Sequence, residues 1–415
     1  MEARKDHKKY PLLRNLQFSP IKEEDEQYVV LWDASKISSE KLILPLNYFF
    51  IIQHFDGEHS LEDVASLYLK RFGEFLHPGK LERLVEDLDA KVFLEGGECE
   101  AAKETARVAY RALPVRKAAF SGTSYAEKKQ ELLDQIESFF VSKEGPEIKA
   151  STNKGKKIRG MVAPHYDMQQ AGPIYAWAYK ELKEALPPSL FVILGTCHTG
   201  LQNAYALTDK DFDTPLGTVR ADRDLLDRFR RNGRGVFFDE EMSHEHEHSI
   251  EFQLPFLQHA MGPEHPFTIL PVLCAFSPSA LIDPEQRETR ERIESFLQGL
   301  QEVLASANRD ACIVASAELA HIGMRYGDSG PPTDFSFHRC MQSDLEMLKH
   351  AENVEPDAFA QFIAKEQDQR RIWGFAPIYT LLRLIGGGAG QVLRYDRGIT
   401  DQYNSTVTYA SMAFF

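Results

Sequence analysis

Four short apolar runs in the later part of the chain constrain its fold more than any other feature. They are rich in Val and Ile, they alternate with amphipathic helical stretches, and they read "IRGMVAP", "LFVILGT", "FTILPVL" and "CIVASA". Runs this short and this continuously apolar are typical of strands that are buried on both faces. Because strands that alternate with helices form a sheet covered by helices, the sequence predicts an α/β domain with a central sheet flanked by helices.

The first hundred residues predict a separate, small helical unit. "YVVLWDASK" is typical of a strand and turn, and "LPLNYFFIIQHF" of a buried helix. "SLEDVASLYLKRF" predicts an amphipathic helix capped by Ser60 and Asp63, and "KLERLVEDLDAKVFLE" a further helix after Pro78. The charged, small-residue-rich segment near residues 98 to 114 indicates a boundary. We therefore expect a winged-helix-type domain over residues 1–105 and the α/β domain over residues 112–415.

Charge and hydropathy exclude several classes of partner. The chain has 415 residues and a formal net charge of −14, and its first hundred residues hold 13 Lys and Arg against 20 Asp and Glu. Nucleic-acid binding depends on cations that neutralise phosphates, so we expect no nucleic-acid partner. No apolar run approaches the roughly 20 residues that cross a bilayer, and the polar start does not resemble a secretory signal. We therefore expect a cytoplasmic protein without a membrane partner.

Polar side chains capable of chemistry follow three of the four predicted strands. His165 and Asp167 follow the first strand, Cys197 and His198 the second, and Glu318 and His321 the fourth. Ligands of open α/β sheets bind beyond the carboxyl ends of the strands. Two imidazoles and a carboxylate around open positions form a typical site for non-haem iron. The sequence therefore predicts a shared metal site at this edge of the sheet.

The histidine-rich string "MSHEHEHSIEF" leaves three interpretations open. His244, His246 and His248 could bind a metal, relay protons or lie in a polar loop. His248 stands at the start of a predicted helix, but the spacing of the three histidines does not by itself choose among these interpretations. Cys197 offers a competing chemistry as a nucleophile, although adjacent residues such as His198 usually point to different sides.

Seven collinear strings give the chain a family resemblance over roughly residues 112 to 415. They are "VAPHYDMQQAG", "VILGTCHTG", "FDTPLGTVRAD", "HEHSIEFQLPFLQ", "ILPVL", "VASAELAHIGMRYGD" and "TVTYASMAFF". Together they resemble the MEMO family, the middle part of the bacterial AmmeMemoRadiSam set. The chain resembles more distantly the LigB-type class III extradiol dioxygenases, which bind iron through two histidines and a carboxylate. The N-terminal unit resembles the PqqD-like domain.

This resemblance implies a set of roles for the candidate residues. It places the family's metal histidines at His165 and His198 and the histidine of its "EHS" motif at His248. His248 is therefore the member of the triplet that we expect at the site, whereas His244 and His246 are expected to be loop residues. The expected metal ligands are His165, His198, Glu318 and Asp167, and His248 and His321 are expected to be catalytic acid or base groups. The expected ion is Fe(II), with Cu or Zn as alternatives.

Two departures from the family pattern bear on the ligand set. Animal members carry a cysteine ligand within "SDFCH", and this chain has "SAELAH", which puts Ala320 at the thiolate position. Glu318, at the family's Asp position, is the candidate replacement. The family's "PHAG" is "PHYD" here, which makes Asp167 a further candidate oxygen ligand.

Two functions follow as alternatives. The first is a metal-dependent oxidoreductase or dioxygenase-like enzyme that acts on a small molecule or peptide. The second is a non-catalytic factor that uses the dioxygenase-like pocket to bind a protein or peptide, alongside radical-SAM and AMMECR-type partners that the resemblance implies. In "RYGD", Arg325 and Asp328 are expected to form a surface ion pair, with the orientation of a carboxylate substrate as the alternative.

Overall fold

The computed structural model describes residues 7–23, 26–33, 35–146 and 151–415. Its chain divides into two compact units, which comprise residues 1–113 and 114–415. Among the described residues no helix combines the length and the apolar character that a membrane crossing requires.

In the part of the first unit that the structure describes, three strands precede four helices. Its antiparallel sheet has the order β1-β2-β3, with β1 Gln17–Glu23, β2 Glu26–Trp32 and β3 Lys41–Pro45. The helices are α1 Leu46–Ile52, α2 Leu61–Phe72, α3 Pro78–Ala90 and α4 Gly97–Ala112. The predicted cap of α2 is confirmed, because Ser60 and Asp63 form a reciprocal capping box. The segment near residues 98 to 114, which indicated a boundary in the sequence, is largely helical because it forms α4. Cys99 and Tyr110 of this helix are buried.

The described residues of the second unit form ten strands. They are β4 Val115–Arg116, β5 Gly160–Ala163, β6 Leu190–Thr196, β7 Tyr205–Leu207, β8 Asp211–Phe212, β9 Thr268–Cys274, β10 Ala311–Ser316, β11 His321–Ile322, β12 Gly390–Ile399 and β13 Thr406–Phe414. All four apolar runs are confirmed as strands: β5, β6, β9 and β10. The C-terminal strands β12 and β13 were not predicted.

Ten α-helices complete the described part of the second unit. They are α5 Lys129–Val141, α6 Met168–Glu184, α7 Arg223–Phe229, α8 His248–Glu251, α9 Gln253–Met261, α10 Ser279–Ile282, α11 Arg287–Ala307, α12 Asp334–Glu352, α13 Pro356–Lys365 and α14 Phe375–Ile385. A short 3₁₀ helix, Glu241–His244, precedes α8.

The main sheet has a parallel centre with antiparallel edges. Its order is β11-β13-β5-β10-β6-β9-β7, and β12 pairs with β13. The neighbouring pairs β5-β10, β10-β6 and β6-β9 are parallel. Because β5, β10 and β6 are adjacent and parallel, the residues that follow them meet at one edge of the sheet.

Helices cover both faces of this sheet, and the strand sequences show why. In β6, Leu190, Val192 and Leu194 belong to one buried cluster, whereas Phe191 and Ile193 belong to another. The first cluster includes residues of α7, α11 and α14, and the second includes residues of α5, α6 and α9. Since alternate side chains point to opposite faces, a continuously apolar strand satisfies both layers. The predicted mixed α/β architecture with a flanked central sheet is confirmed.

Candidate metal centre

Three histidines converge at the carboxyl edge of the parallel strands. His165 follows β5, His198 follows β6, and His248 is the first residue of α8. One ring nitrogen from each lies within 4.8 Å of the others. The ring centroids are 5.1 Å apart for His165 and His198 and 4.7 Å apart for His198 and His248. His165 is buried and the other two are half-buried, so the group opens on the His198 and His248 side.

A single carboxylate fixes two of these rings. The oxygens of Glu247 lie 3.0 and 3.1 Å from Nδ1 of His198 and 3.2 Å from Nδ1 of His248. Glu247 also accepts hydrogen bonds from the backbone N–H groups of His198 (2.9 Å) and Ser249 (3.0 Å). A carboxylate at Nδ1 holds the proton there and leaves Nε2 free as a ligand, which is how proteins commonly orient metal-binding histidines.

The third ring is oriented by a buried hydroxyl. Ser316 Oγ donates to the Ser249 carbonyl (2.6 Å) and lies 3.3 Å from Nδ1 of His165. Because the hydroxyl proton is committed to that carbonyl, Ser316 accepts the Nδ1 proton of His165. Nε2 of His165 is buried and has no hydrogen-bond partner among the described residues. A buried polar atom without a partner is costly, and a bound cation would satisfy it.

Glu318 and His321 lie beside the three histidines. Glu318 Oε2 is 3.9 Å from His165 Nε2 and 3.2 Å from His321 Nε2. Nδ1 of His321 faces the carbonyls of Leu319 and Arg371, at 3.1 and 3.0 Å, and therefore donates to the backbone. Its Nε2 is then the acceptor nitrogen in a neutral ring, or a donor to Glu318 when the ring is charged.

An exposed indole covers His321. The Trp373 ring stacks on the His321 ring with centroids 3.9 Å apart, and the Tyr326 ring packs edge-on against both at 5.0 and 5.8 Å. Trp373 is 44% exposed, so it forms an apolar rim at the opening of the site. The Phe120 ring packs edge-on against His248 at 5.6 Å.

The electrostatics separate neutral from charged groups. Burial lowers the pKa of His165 to about 3, so this ring is neutral at pH 7. Burial by itself would raise the pKa of Glu247, but the charges and hydrogen bonds of His198 and His248 leave it well below its usual range. Burial by itself would raise the pKa of Glu318. The interactions with His165 and His321 outweigh burial and lower this pKa to about 2. Two carboxylates, Glu247 and Glu318, therefore lie beside the three imidazoles, and their negative charges suit a bound cation.

The structure places Asp167 differently from the histidines. Its side chain caps α6 by accepting from the backbone N–H groups of Gln169 (3.0 Å) and Gln170 (3.1 Å). One carboxylate oxygen is therefore committed to the helix N-terminus, and the group of converging nitrogens contains no atom of Asp167.

The remaining candidate residues from the sequence contribute to the structure rather than to the candidate metal centre. His244 is buried, and its Nε2 lies 3.0 Å from the Ala206 carbonyl, so it is not an open loop residue. Burial raises the pKa of the Cys197 thiol to about 12, which opposes a nucleophilic role. The predicted pair of Arg325 and Asp328 is wrong, because the Asp328 carboxylate bonds to Arg371 at 2.8 Å.

Sequence reasoning missed three groups that shape the site: Glu247, Ser316 and Trp373. Glu247 stands directly before His248, and a carboxylate in the string "EHS" was the available signal. Ser316 is the last residue of β10, one of the strands that deliver the site. Trp373 lies in a loop 52 residues after His321, and no sequence pattern links the two.

Comparisons with known proteins identify relatives along most of the chain. Residues 116–413 match the family model described as "Memo-like protein". A MEMO1 family protein of Methanopyrus kandleri is 29% identical over 72% of this chain and 98% of its own length. Another, of Pyrobaculum aerophilum, is 30% identical over 72% of this chain and 99% of its own.

One relative also matches the first unit in part. A MEMO1 family protein of Aquifex aeolicus is 24% identical over 91% of this chain and 93% of its own length. That alignment is longer than the second unit and therefore extends into the first. A solved structure of an uncharacterized Escherichia coli K12 protein is 14% identical and covers 62% of this chain and 100% of its own, with a TM-score of 0.36. This score is too low to support an argument about the fold.

Proposed function

The chain belongs to the Memo-like protein family, and from that premise we propose that its second unit binds a divalent transition metal through His165, His198 and His248. The observation that carries the proposal is the arrangement of the three rings. Each has its Nδ1 engaged by Glu247 or Ser316, and the buried Nε2 of His165 has no partner among the described residues. The residues present fit a cation, because neutral imidazoles of fixed orientation are ligands for iron, copper and zinc.

We propose Fe(II) as the ion, with Cu or Zn as alternatives, and a redox or dioxygenase-like activity of the LigB type. Bound iron would supply a Lewis acid with open positions for substrate and oxidant. The geometry favours His248 as a third ligand over the acid–base role predicted from the sequence. Glu318 adds a carboxylate next to His165, either as a further ligand or as a base for a substrate proton.

The chain's own residues would then handle protons and water. Glu318 and His321 share a hydrogen bond, so a proton taken up by Glu318 can pass to Nε2 of His321. The backbone carbonyls at Nδ1 hold that ring in one orientation throughout. Trp373 covers the ring and limits the access of water to the pair. Asp167 keeps its structural role at the start of α6.

A second candidate function is recognition of a protein or peptide without catalysis. The exposed Trp373 at the rim favours it, since large exposed aromatic side chains beside a cleft are typical of binding surfaces. We propose that the first unit is a PqqD-like winged-helix domain, supported by the three strands and four helices among its described residues. In this interpretation the protein acts in the cytoplasm with radical-SAM and AMMECR-type partners.

Metal content and accessibility separate the two candidates. Protein purified under nitrogen and loaded with Fe(II) should retain iron through gel filtration. Its complex with nitric oxide, a probe of open coordination positions, should give the EPR signal of high-spin iron nitrosyl. Protein that retains no iron, copper or zinc under these conditions would contradict the metal-binding proposal and favour recognition.

A further inference from the structure

Arg116 is a buried cation bound to the segment that carries His248. Its side chain is 1% exposed. Nε donates to the carbonyl of His244 (2.9 Å), Nη2 to the carbonyl of Glu247 (2.8 Å), and Nη1 to the carboxylate of Glu251 and the carbonyl of Lys117 (3.0 Å). The guanidinium therefore spans the whole stretch from the 3₁₀ helix to the end of α8.

The Glu251 carboxylate completes the same connection from the other side. It accepts from the backbone N–H groups of Ala119 (3.0 Å) and Phe120 (2.9 Å) and from the Tyr125 hydroxyl (2.5 Å). These bonds fix the segment 115–125 on α8 and hold Phe120 against the ring of His248. Glu251 is fully buried, so its charge depends on this set of donors.

The contact between Arg116 and Glu247 leads directly to the imidazoles. Arg116 binds the backbone carbonyl of Glu247, and the side chain of Glu247 binds Nδ1 of His198 and of His248. A shift of this carbonyl would move the carboxylate, and with it two of the three proposed ligands. Displacements of a few tenths of an ångström matter for a site that must present its ligands with fixed geometry.

We propose that Arg116 is a positioning residue for the metal centre, which acts through the backbone of Glu247 and sets the orientation of His198 and His248. The inference rests on the proposed metal-binding function and extends it to a residue that precedes His248 by 132 positions. A planar guanidinium is required because it binds three carbonyls and a carboxylate at once. An ammonium has one nitrogen and cannot reach all four acceptors from one place.

The test compares Arg116→Lys with a matched change in the other unit. Arg14 is also buried, pairs with Asp33 at 2.9 Å and donates to the Val92 carbonyl at 2.7 Å. Arg14→Lys therefore makes the same chemical change at a buried ion pair of the first unit. For wild type and both variants, Co(II) affinity is measured by chelator competition, the visible Co(II) spectrum is recorded, and apo stability is measured by urea unfolding.

We expect Arg116→Lys to weaken Co(II) binding about 10-fold or more, the range found when the groups that support metal ligands are altered, and to change the visible bands. Arg14→Lys should keep wild-type affinity and spectrum even if it is less stable. Tyr125→Phe, which removes one donor to Glu251, should give the same direction of change and provides the test if Arg116→Lys does not fold.

Two results would overturn the inference, and they are distinguishable. If wild type binds Co(II) while a folded Arg116→Lys protein keeps the same affinity and spectrum and loses only stability, Arg116 is a structural residue and the metal proposal survives. The same conclusion follows if Tyr125→Phe, as the folded substitute, leaves affinity and spectrum unchanged. If wild type and Arg14→Lys bind no Co(II), the proposed function itself fails and the inference falls with it.

Discussion

Replacement of Glu247 by Gln should damage the metal site more than its small change in size suggests. Each carboxylate oxygen faces one backbone N–H and at least one imidazole Nδ1. Glutamine keeps one acceptor oxygen and turns the other into an NH₂ donor. The ring that faces this NH₂ must present a bare Nδ1, so its proton moves to Nε2 and blocks the nitrogen that would bind the metal.

The expected loss follows from the number of rings involved. A group that supports one metal-binding histidine is worth about 10- to 100-fold in affinity. Since Glu247 supports His198 and His248, we expect Glu247→Gln to weaken Fe(II) binding by about 100-fold or more, which is about 2.8 kcal/mol. The one backbone N–H that faces the new NH₂ group loses its acceptor, which should also reduce apo stability.

The assay is chelator competition under nitrogen, with urea unfolding of the apo proteins to separate affinity from stability. Glu240→Gln is the matched control, because the two oxygens of Glu240 accept from the backbone N–H groups of Gln202 and Asn203 at 2.9 Å. It should lose stability and keep its Fe(II) affinity. A folded Glu247→Gln protein with wild-type affinity would refute the argument that Glu247 sets the tautomers.

Three further predictions follow from the same geometry. Asp167→Ala should cost about 1 kcal/mol of stability, as the loss of a helix cap does, and leave Fe(II) affinity unchanged in a chelator titration; weakened binding would make Asp167 a ligand. Glu318→Gln should weaken Fe(II) binding about 10-fold in the same titration, and unchanged affinity would place Glu318 outside the coordination of the ion. Burial lowers the pKa of His244 to about 3, so between about pH 6.5 and pH 3 the unfolded chain binds a proton at this residue that the folded chain does not bind. The free energy of unfolding should therefore fall as the pH drops through this range, by up to about 1.4 kcal/mol per pH unit. Urea unfolding of His244→Gln between about pH 4 and pH 7 should show a shallower acid-side slope than wild type, and identical slopes would contradict a neutral, buried His244.

The strands of the sheet could be predicted because their apolar pattern is local. Continuous Val- and Ile-rich runs such as β6 have the length and composition of strands buried on both faces. The antiparallel strand β12 escaped prediction because it carries charged residues along its length and is half-exposed. Its pairing with β13 depends on tertiary context, which often overrides local preference.

The histidines could be predicted for a different reason: they follow strand ends, where the topology places ligands. Three strands delivered His165, His198 and Glu318 to one edge because β5, β10 and β6 are adjacent in the sheet. The supporting groups could not be found in this way. Glu247 contacts His198 across 49 positions of sequence. Arg116 lies at the end of β4 and binds the backbone of Glu247 from there. Only the fold brings these groups together.

The central claim is that His165 and His198 hold a metal ion together with His248, and anaerobic Fe(II) titration of the full chain tests it most directly. Wild type should bind a single ion with an affinity that survives chelator competition, and the His165→Ala, His198→Ala double variant should bind none, because an open three-ligand site cannot lose two of its ligands. Circular dichroism should show that the double variant is folded. Full Fe(II) binding by that folded variant, or no binding by wild type, would contradict the account and leave recognition as the function of the site.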